Sequence, residues 1–167
     1  MNYNEALNYI HSLGNFKRPA GTERITAALK RLNNPQNSFE AIHIAGTNGK
    51  GSVSAMLAKV FETAGFKTGL YISPYIIDFR ERIQINGEFI KKEELTQYVK
   101  RVFETKIDLS EFEFITAAAF SYFADKKCEI VIAETGLGGR LDATNTLERV
   151  RAAVITEIGL DHAAILG

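Results

Sequence analysis

Cysteine is nearly missing from this chain: Cys128 stands alone among 167 residues. No internal disulfide can therefore staple the fold, and a reducing, cytoplasmic setting is expected. A surplus of one charge is missing too, because twenty Lys and Arg balance twenty Asp and Glu. Basic residues gather only in pairs typical of helix faces, such as Lys91-Lys92 and Lys100-Arg101, which argues against a nucleic-acid partner. No apolar run approaches the roughly 20 residues that span a bilayer. The opening residues, Met1-Asn2-Tyr3-Asn4-Glu5, carry no basic segment leading into an apolar one. Neither a membrane nor an export signal is expected. An Asn-Lys-x-Asp guanine-reading motif is also lacking, which weakens a GTPase reading. With 46% hydrophobic and 24% charged residues, the composition is that of one well-packed globular domain.

Strand and helix patterns alternate along the chain. Ala6, Leu7, Tyr9, Ile10 and Leu13, then Ile25, Ala28, Leu29 and Leu32, fall at helical spacing, and Asn33-Asn34-Pro35 stops the second run. Residues 39–45 read as a strand, 52–64 as a helix closed by Gly65, and 68–72 as a second strand, together a βαβ unit with parallel strands. After a polar and aromatic loop at 73–82, two short strands flank Asn86-Gly87, a hairpin signal that decorates the sheet. Residues 92–104 and 112–125 read as helices, and 129–133 and 152–156 as two more strands of the kind buried inside parallel sheets. The expected class is α/β, a P-loop-containing parallel sheet flanked by helices, with an inserted loop and β-hairpin. A helix pattern starts at residue 160 and stops at 167, so the sheet is read as incomplete at the C-terminus, with an uncovered edge that would favour self-association.

Gly46-Thr47-Asn48-Gly49-Lys50-Gly51-Ser52 joins the first strand to its helix. Such a turn aims backbone N–H groups at an anion, Lys50 reaches the outer phosphates, and Ser52 offers a hydroxyl to the Mg²⁺ that accompanies ATP. The standard loop has Ser or Thr directly after Lys, whereas here Gly51 intervenes. Ligands of parallel sheets sit beyond the carboxyl ends of the strands. Glu134, which closes the third strand, is thus a candidate cation ligand, and Glu157, Asp161 and His162 follow the fourth strand on the same rim. Oxygen ligands suit Mg²⁺, and an imidazole hints at tolerance for Mn²⁺. Asp142, Thr144 and Asn145 suit turns as well as hydrogen bonds to a substrate. In the 73–82 loop, Arg80 and Arg82 either clamp an acidic aromatic ligand or belong to a flap paired with Asp78 and Glu81. His43, on a buried strand, reads as structural.

Five segments carry a resemblance: residues 43–52; Ser73-Pro74 with Glu81-Arg82-Ile83; Phe112-Glu113-Phe114 with Thr116-Ala117; residues 134–145; and Ile155-Thr156 with residues 158–162. In this order they resemble the N-terminal, ATP-binding domain of the folylpolyglutamate synthase and dihydrofolate synthase family of the Mur ligase superfamily. The resemblance implies a ligase that phosphorylates a folate or dihydropteroate carboxylate with ATP and joins it to L-glutamate. It implies catalytic roles for Lys50, Glu134 and His162, and nucleotide binding by Gly46, Thr47, Asn48, Gly49, Lys50, Gly51 and Ser52. It further implies cation contacts from Ser52, Glu134 and His162, and substrate contacts from Ser73, Pro74, Arg82, Phe112, Asp142 and Ala143. Tyr75-Ile76 stands where the family shows His-Leu. Family members continue beyond residue 167, so residues 1–167 are expected to be a truncated ATP-binding domain without its C-terminal ligase domain and inactive alone. A stand-alone ATP-binding module is the alternative.

Overall fold

The computed structural model describes residues 1–14 and 21–160. Helices α1 (Tyr3–Leu13) and α2 (Glu23–Arg31) lead into strand β1 (Glu40–Ala45), helix α3 (Lys50–Thr63) and strand β2 (Thr68–Tyr71). Strands β3 (Ile83–Ile85) and β4 (Glu88–Phe89) form the hairpin, followed by helices α4 (Lys92–Phe103) and α5 (Glu111–Asp125). Strands β5 (Ile130–Glu134) and β6 (Val150–Ile155) end the described succession.

All six strands share one sheet in the order β4-β3-β2-β5-β1-β6. This order refines the expected topology. β1 and β2 run parallel, but β5 lies between them, with Ile132 opposite both Ile42 and Leu70. The hairpin, moreover, extends the sheet instead of decorating it, since β3 pairs antiparallel with β2 through Tyr71 and Ile83. The sheet is accordingly mixed. Physical cause and position agree for β5: every residue from Ile130 to Glu134 is buried, and a strand apolar on both faces belongs at the centre.

Alternation along β5 divides the core in two. Val131 and Ala133 join the cluster that contains α1, α2, α4 and α5, while Ile130 and Ile132 pack with Val53, Leu57 and Phe61 of α3. Strand periodicity therefore sends Glu134 to the α3 face and Thr135 to the α5 face. The α5 helix is apolar around most of its circumference because the sheet lies on one side and the remaining helices on the other. Its start is fixed by a reciprocal cap, in which the Ser110 amide donates to the Glu113 carboxylate and the Glu113 amide to the Ser110 hydroxyl.

The last strand departs from its expected burial. β6 is the outermost described strand beside β1, and within the described residues Val154 is half-buried while its other five residues are exposed. Helix α3 begins at Lys50, two residues ahead of the sequence reading, with Gly49 as its N-cap at φ 81°. Consequently Gly51 and Ser52 belong to the helix's first turn. No helix among the described residues is long and apolar enough to cross a membrane.

Phe120 is the clearest test of the α5 layer. It is fully buried, with ring centroids 5.9 Å from Phe39 and 6.3 Å from Tyr71. Phe120→Ala is expected to lower stability by about 3–5 kcal/mol, read as a lower urea midpoint with an unchanged m-value.

Candidate functional site

The strand-to-helix turn after β1 is held by the segment that follows β6. Gly46 adopts φ 135°, and a Cβ there would lie 2.0 Å from the Thr156 hydroxyl; that conformation and that contact demand glycine. Thr156 donates its amide to the Ala45 carbonyl at 2.9 Å. The Thr47 amide donates to the Glu157 carbonyl at 2.7 Å, and the Thr47 hydroxyl exchanges hydrogen bonds with the backbone of Gly159. Asn48 and Glu157 form an isolated bridge. Within α3 the first helical bond runs from the Val53 amide to the Gly49 carbonyl at 3.0 Å. The amides of Lys50, Gly51 and Ser52 precede it and have no intrahelical acceptor, so the positive helix end points at the mouth of the loop. There the Lys50 ammonium donates to the Gly46 carbonyl at 2.8 Å and the Thr47 carbonyl at 3.3 Å. The site is built for an anion.

Glu134 closes β5 against that helix end. Its Oε2 lies 3.6 Å from where a Gly51 Cβ would stand, so the residue that departs from the standard loop is the one that faces the carboxylate. The same oxygen accepts the Ser73 amide at 3.1 Å. Glu134 is 4% exposed, and burial pushes its pKa above the usual carboxylate range, against the opposing pull of the Ser73 hydrogen bond and the Lys50 charge. A buried carboxylate short of counter-charge, with the Ser52 hydroxyl in the adjoining first turn, is a hard-oxygen set that fits Mg²⁺. No group of three or more His, Cys, Asp and Glu converges among the described residues. His162 and Asp161 lie outside the described residues.

On the α5 face, the loop after β5 is pinned by Asp142. Its Oδ2 accepts the amides of Gly136 and Leu137, each at 2.9 Å, and its Oδ1 accepts the Thr144 amide at 2.9 Å and the Thr144 hydroxyl at 2.6 Å. His43 Nε2 lies 2.7 Å from the Thr144 hydroxyl. Because the single hydroxyl proton goes to Asp142, His43 must donate from Nε2–H, and burial lowers its pKa against the opposing pull of the Asp142 charge. The structural reading of His43 is thereby realised, as is the turn role of Asp142 and Thr144. Phe112 joins the same loop: a Cβ at Gly136 would fall 2.6 Å from its ring. That ring also lies 5.9 Å from Tyr71, whose hydroxyl donates to Thr116 at 2.9 Å. Ala143, 4% exposed, opens the 3₁₀ turn Ala143–Thr146 beside α5. Phe112, Asp142 and Ala143 thus meet around one loop.

The two arginines of the 73–82 loop part company. Arg80 pairs with Asp78 at 2.6 Å, and Glu81 accepts the amides of Ile76, Ile77 and Asp78, so this half is a flap, with Ile76 and Ile77 each 89% exposed at its tip. Arg82 turns inward and is 8% exposed. Its guanidinium lies 5.4 Å from the Tyr75 ring centre and 5.1 Å from that of Phe79. The Ser73-Pro74 peptide at the root of the loop is cis. Sequence reading did not anticipate the Ser73–Glu134 link, the Phe112–Gly136 contact or the pairing of Arg82 with Glu111. None leaves a spacing signal, since each joins residues far apart in the chain.

Comparison with known proteins agrees with this architecture. Residues 44–167 match the model of the Mur ligase middle domain. The dihydrofolate synthase/folylpolyglutamate synthase of Bacillus subtilis (strain 168) is 43% identical over 174 residues, covering 99% of this chain and 40% of the relative. The folylpolyglutamate synthase of Lacticaseibacillus casei is 40% identical over 176 residues, covering 100% of the chain and 41% of the relative. Among solved structures, an FPGS-AMPPCP-folate complex superposes with a TM-score of 0.92 at 41% identity, covering 100% of this chain and 43% of that one. The chain therefore spans about two fifths of the length of these relatives. The family model covers most of the chain, including the loop at 46–52, Glu134 and the Asp142 loop, so the chain belongs to the Mur ligase family.

Proposed function

We infer that residues 1–167 form the ATP-binding domain of a larger ligase that joins L-glutamate to a folate or dihydropteroate carboxylate. The observation that carries this reading is the buried Glu134 carboxylate, set between the free amides of a P-loop helix and the root of the 73–82 loop. Relatives that share the whole chain at 40% or more identity, together with an FPGS bound to AMPPCP and folate, support both ligands. Lys50 and the amides of Gly49, Lys50, Gly51 and Ser52 would hold the β- and γ-phosphates. Ser52 and Glu134 would hold Mg²⁺, which when bound offsets charge on the phosphates. The acceptor would lie on the α5 side, by Phe112, Asp142 and Ala143, under Ser73, Pro74 and the loop that Arg82 anchors.

The chemistry follows from the poor electrophilicity of a carboxylate. One acceptor carboxylate oxygen attacks the γ-phosphorus and ADP leaves, giving an acyl phosphate. The amine of L-glutamate then attacks the acyl carbon, an amide forms, and phosphate departs. Lys50 and the helix end stabilise the negative charge gathered in the first step. Asp142 is saturated by the loop it pins, so its contribution is to shape the pocket. Glutamate contacts are assigned to the remainder of the protein, and a reducing cytoplasm suits the buried free thiol of Cys128.

In the full-length protein, Lys50→Ala is expected to cut ATP-dependent incorporation of labelled glutamate about 100-fold or more and to weaken ATP binding by calorimetry. Unchanged ATP affinity would refute the assignment.

The same carboxylate makes a prediction about stability. At neutral pH the folded apo state carries a buried charge that the unfolded chain would solvate. As pH falls through the raised folded pKa, the folded state gains its proton first and the penalty is relieved. Below the ordinary carboxylate pKa both states are protonated. Glu134→Gln, which keeps the acceptor for Ser73, should therefore melt above the parent at neutral pH, and the two should converge as pH falls to about 4. Adding ATP and Mg²⁺ should stabilise the parent and leave the variant little changed.

A further inference from the structure

Glu111 opens α5 one residue before Phe112, outside every motif that carries the nucleotide site. Three separate parts of the molecule converge on it. Its amide donates to the Gly14 carbonyl at 3.1 Å, tying α5 to the end of α1. Its Oε1 lies 3.9 Å from Arg82 Nη1 and its Oε2 lies 3.5 Å from His11 Nδ1. The Arg82 and Glu111 side chains are only 10% and 12% exposed, so this pair is far less screened than a surface bridge. His11 also packs edge-on against Phe79, 5.5 Å between ring centres. Phe79 in turn packs on Tyr75 at 5.5 Å, and the Arg82 guanidinium lies within cation–π range of both rings.

The tip of the 73–82 loop is knotted by its own side chains, through Glu81, Asp78 and Arg80. The tip is thus a self-braced unit whose seating depends on its attachments. Ser73 on Glu134 is one attachment, and the Arg82 cluster is another. Arg82 Nε is buried with no hydrogen-bond partner, so Glu111 is the carboxylate facing a guanidinium that is otherwise answered chiefly by aromatic faces.

We propose that Glu111 is a positioning residue for the acceptor site, seating the 73–82 loop over Phe112 by anchoring Arg82 from the α5 terminus. It acts through Arg82 and touches neither nucleotide nor acceptor. The kinetic part of this proposal rests on the ligase reading; the loop-seating part does not.

Two measurements on the full-length protein test it. Glu111→Gln keeps shape and backbone while removing the charge opposite Arg82. Hydrogen exchange followed by mass spectrometry should show faster exchange in the peptide covering 73–82, with the nucleotide loop at 46–52 unchanged. Steady-state kinetics should show the KM for the pteroate or folate acceptor rising about ten-fold, with kcat and the KM for ATP within about two-fold. Arg82→Lys keeps the charge and loses the planar contact with two rings, so it should shift the same parameters in the same direction. Unchanged exchange in 73–82 would overturn the proposal. So would equal rises in both KM values accompanied by a lower unfolding midpoint, the signature of a general structural role. Failure of the parent protein to ligate any folate would sink the ligase reading instead, and the exchange experiment would still decide whether Glu111 seats the loop.

Discussion

A single carboxylate oxygen, Glu134 Oε2, stands where the two halves of the site meet. On one side is the N-terminal turn of α3, close enough that a side chain at Gly51 would make van der Waals contact with it. On the other is the amide of Ser73, the first residue of the loop leading to Arg82. Strand β5 delivers it there because β5 is central and buried, so its C-terminal tip sits between the tips of β1 and β2. Insertion of β5 between strands that are neighbours in sequence is therefore what creates the site. Had β1 and β2 paired directly, the P-loop and the Ser73 loop would have flanked no third strand end.

The two faces of the sheet divide the work. On the α3 face the polar groups are free amides, a lysine and a carboxylate with a raised pKa, all under-partnered by the protein itself. On the α5 face the groups around the Asp142 loop are saturated: Asp142 takes four hydrogen bonds, and His43, Thr144, Tyr71 and Thr116 are each paired, the buried Thr135 hydroxyl being an exception. Saturated groups make rigid walls and unsaturated ones invite charged ligands. That contrast gives the α3 face the character of an anion and cation site and the loop on the α5 face that of a fixed wall.

The parts of this arrangement legible in the sequence were the local ones. The Gly-rich turn with Lys50 lies within seven residues, the Asn86-Gly87 hairpin within two, and the helix patterns rest on short-range periodicity. Glu134 was found because a strand-end acid can be located from its own strand. Strand order was not legible, because β5 reaches its place between β1 and β2 through tertiary packing that no spacing encodes. An apolar run of Ala, Val and Ile such as β6 reads the same whether or not something covers it, so its exposure within the described residues could not be taken from its own pattern. Arg80 and Arg82, two residues apart, could not be separated from sequence, since both lie in the 3₁₀ turn Phe79–Arg82 and only its packing ahead of β3 decides which one turns inward.

The resting position of Lys50 bears on how a nucleotide is taken up. Its ammonium is held by two neutral carbonyls of its own loop, those of Gly46 and Thr47, and among the described residues it forms no ion pair with a carboxylate. A lysine locked to an acid would have to surrender a charge-assisted bond before meeting a phosphate. Exchanging neutral carbonyls for phosphate oxygens instead gives up no ion pair and gains one. Glu134, although near enough to feel the charge, spends its hydrogen bond on Ser73. The acid and the lysine are thereby not spent on each other, and each stays available to a ligand of the opposite sign.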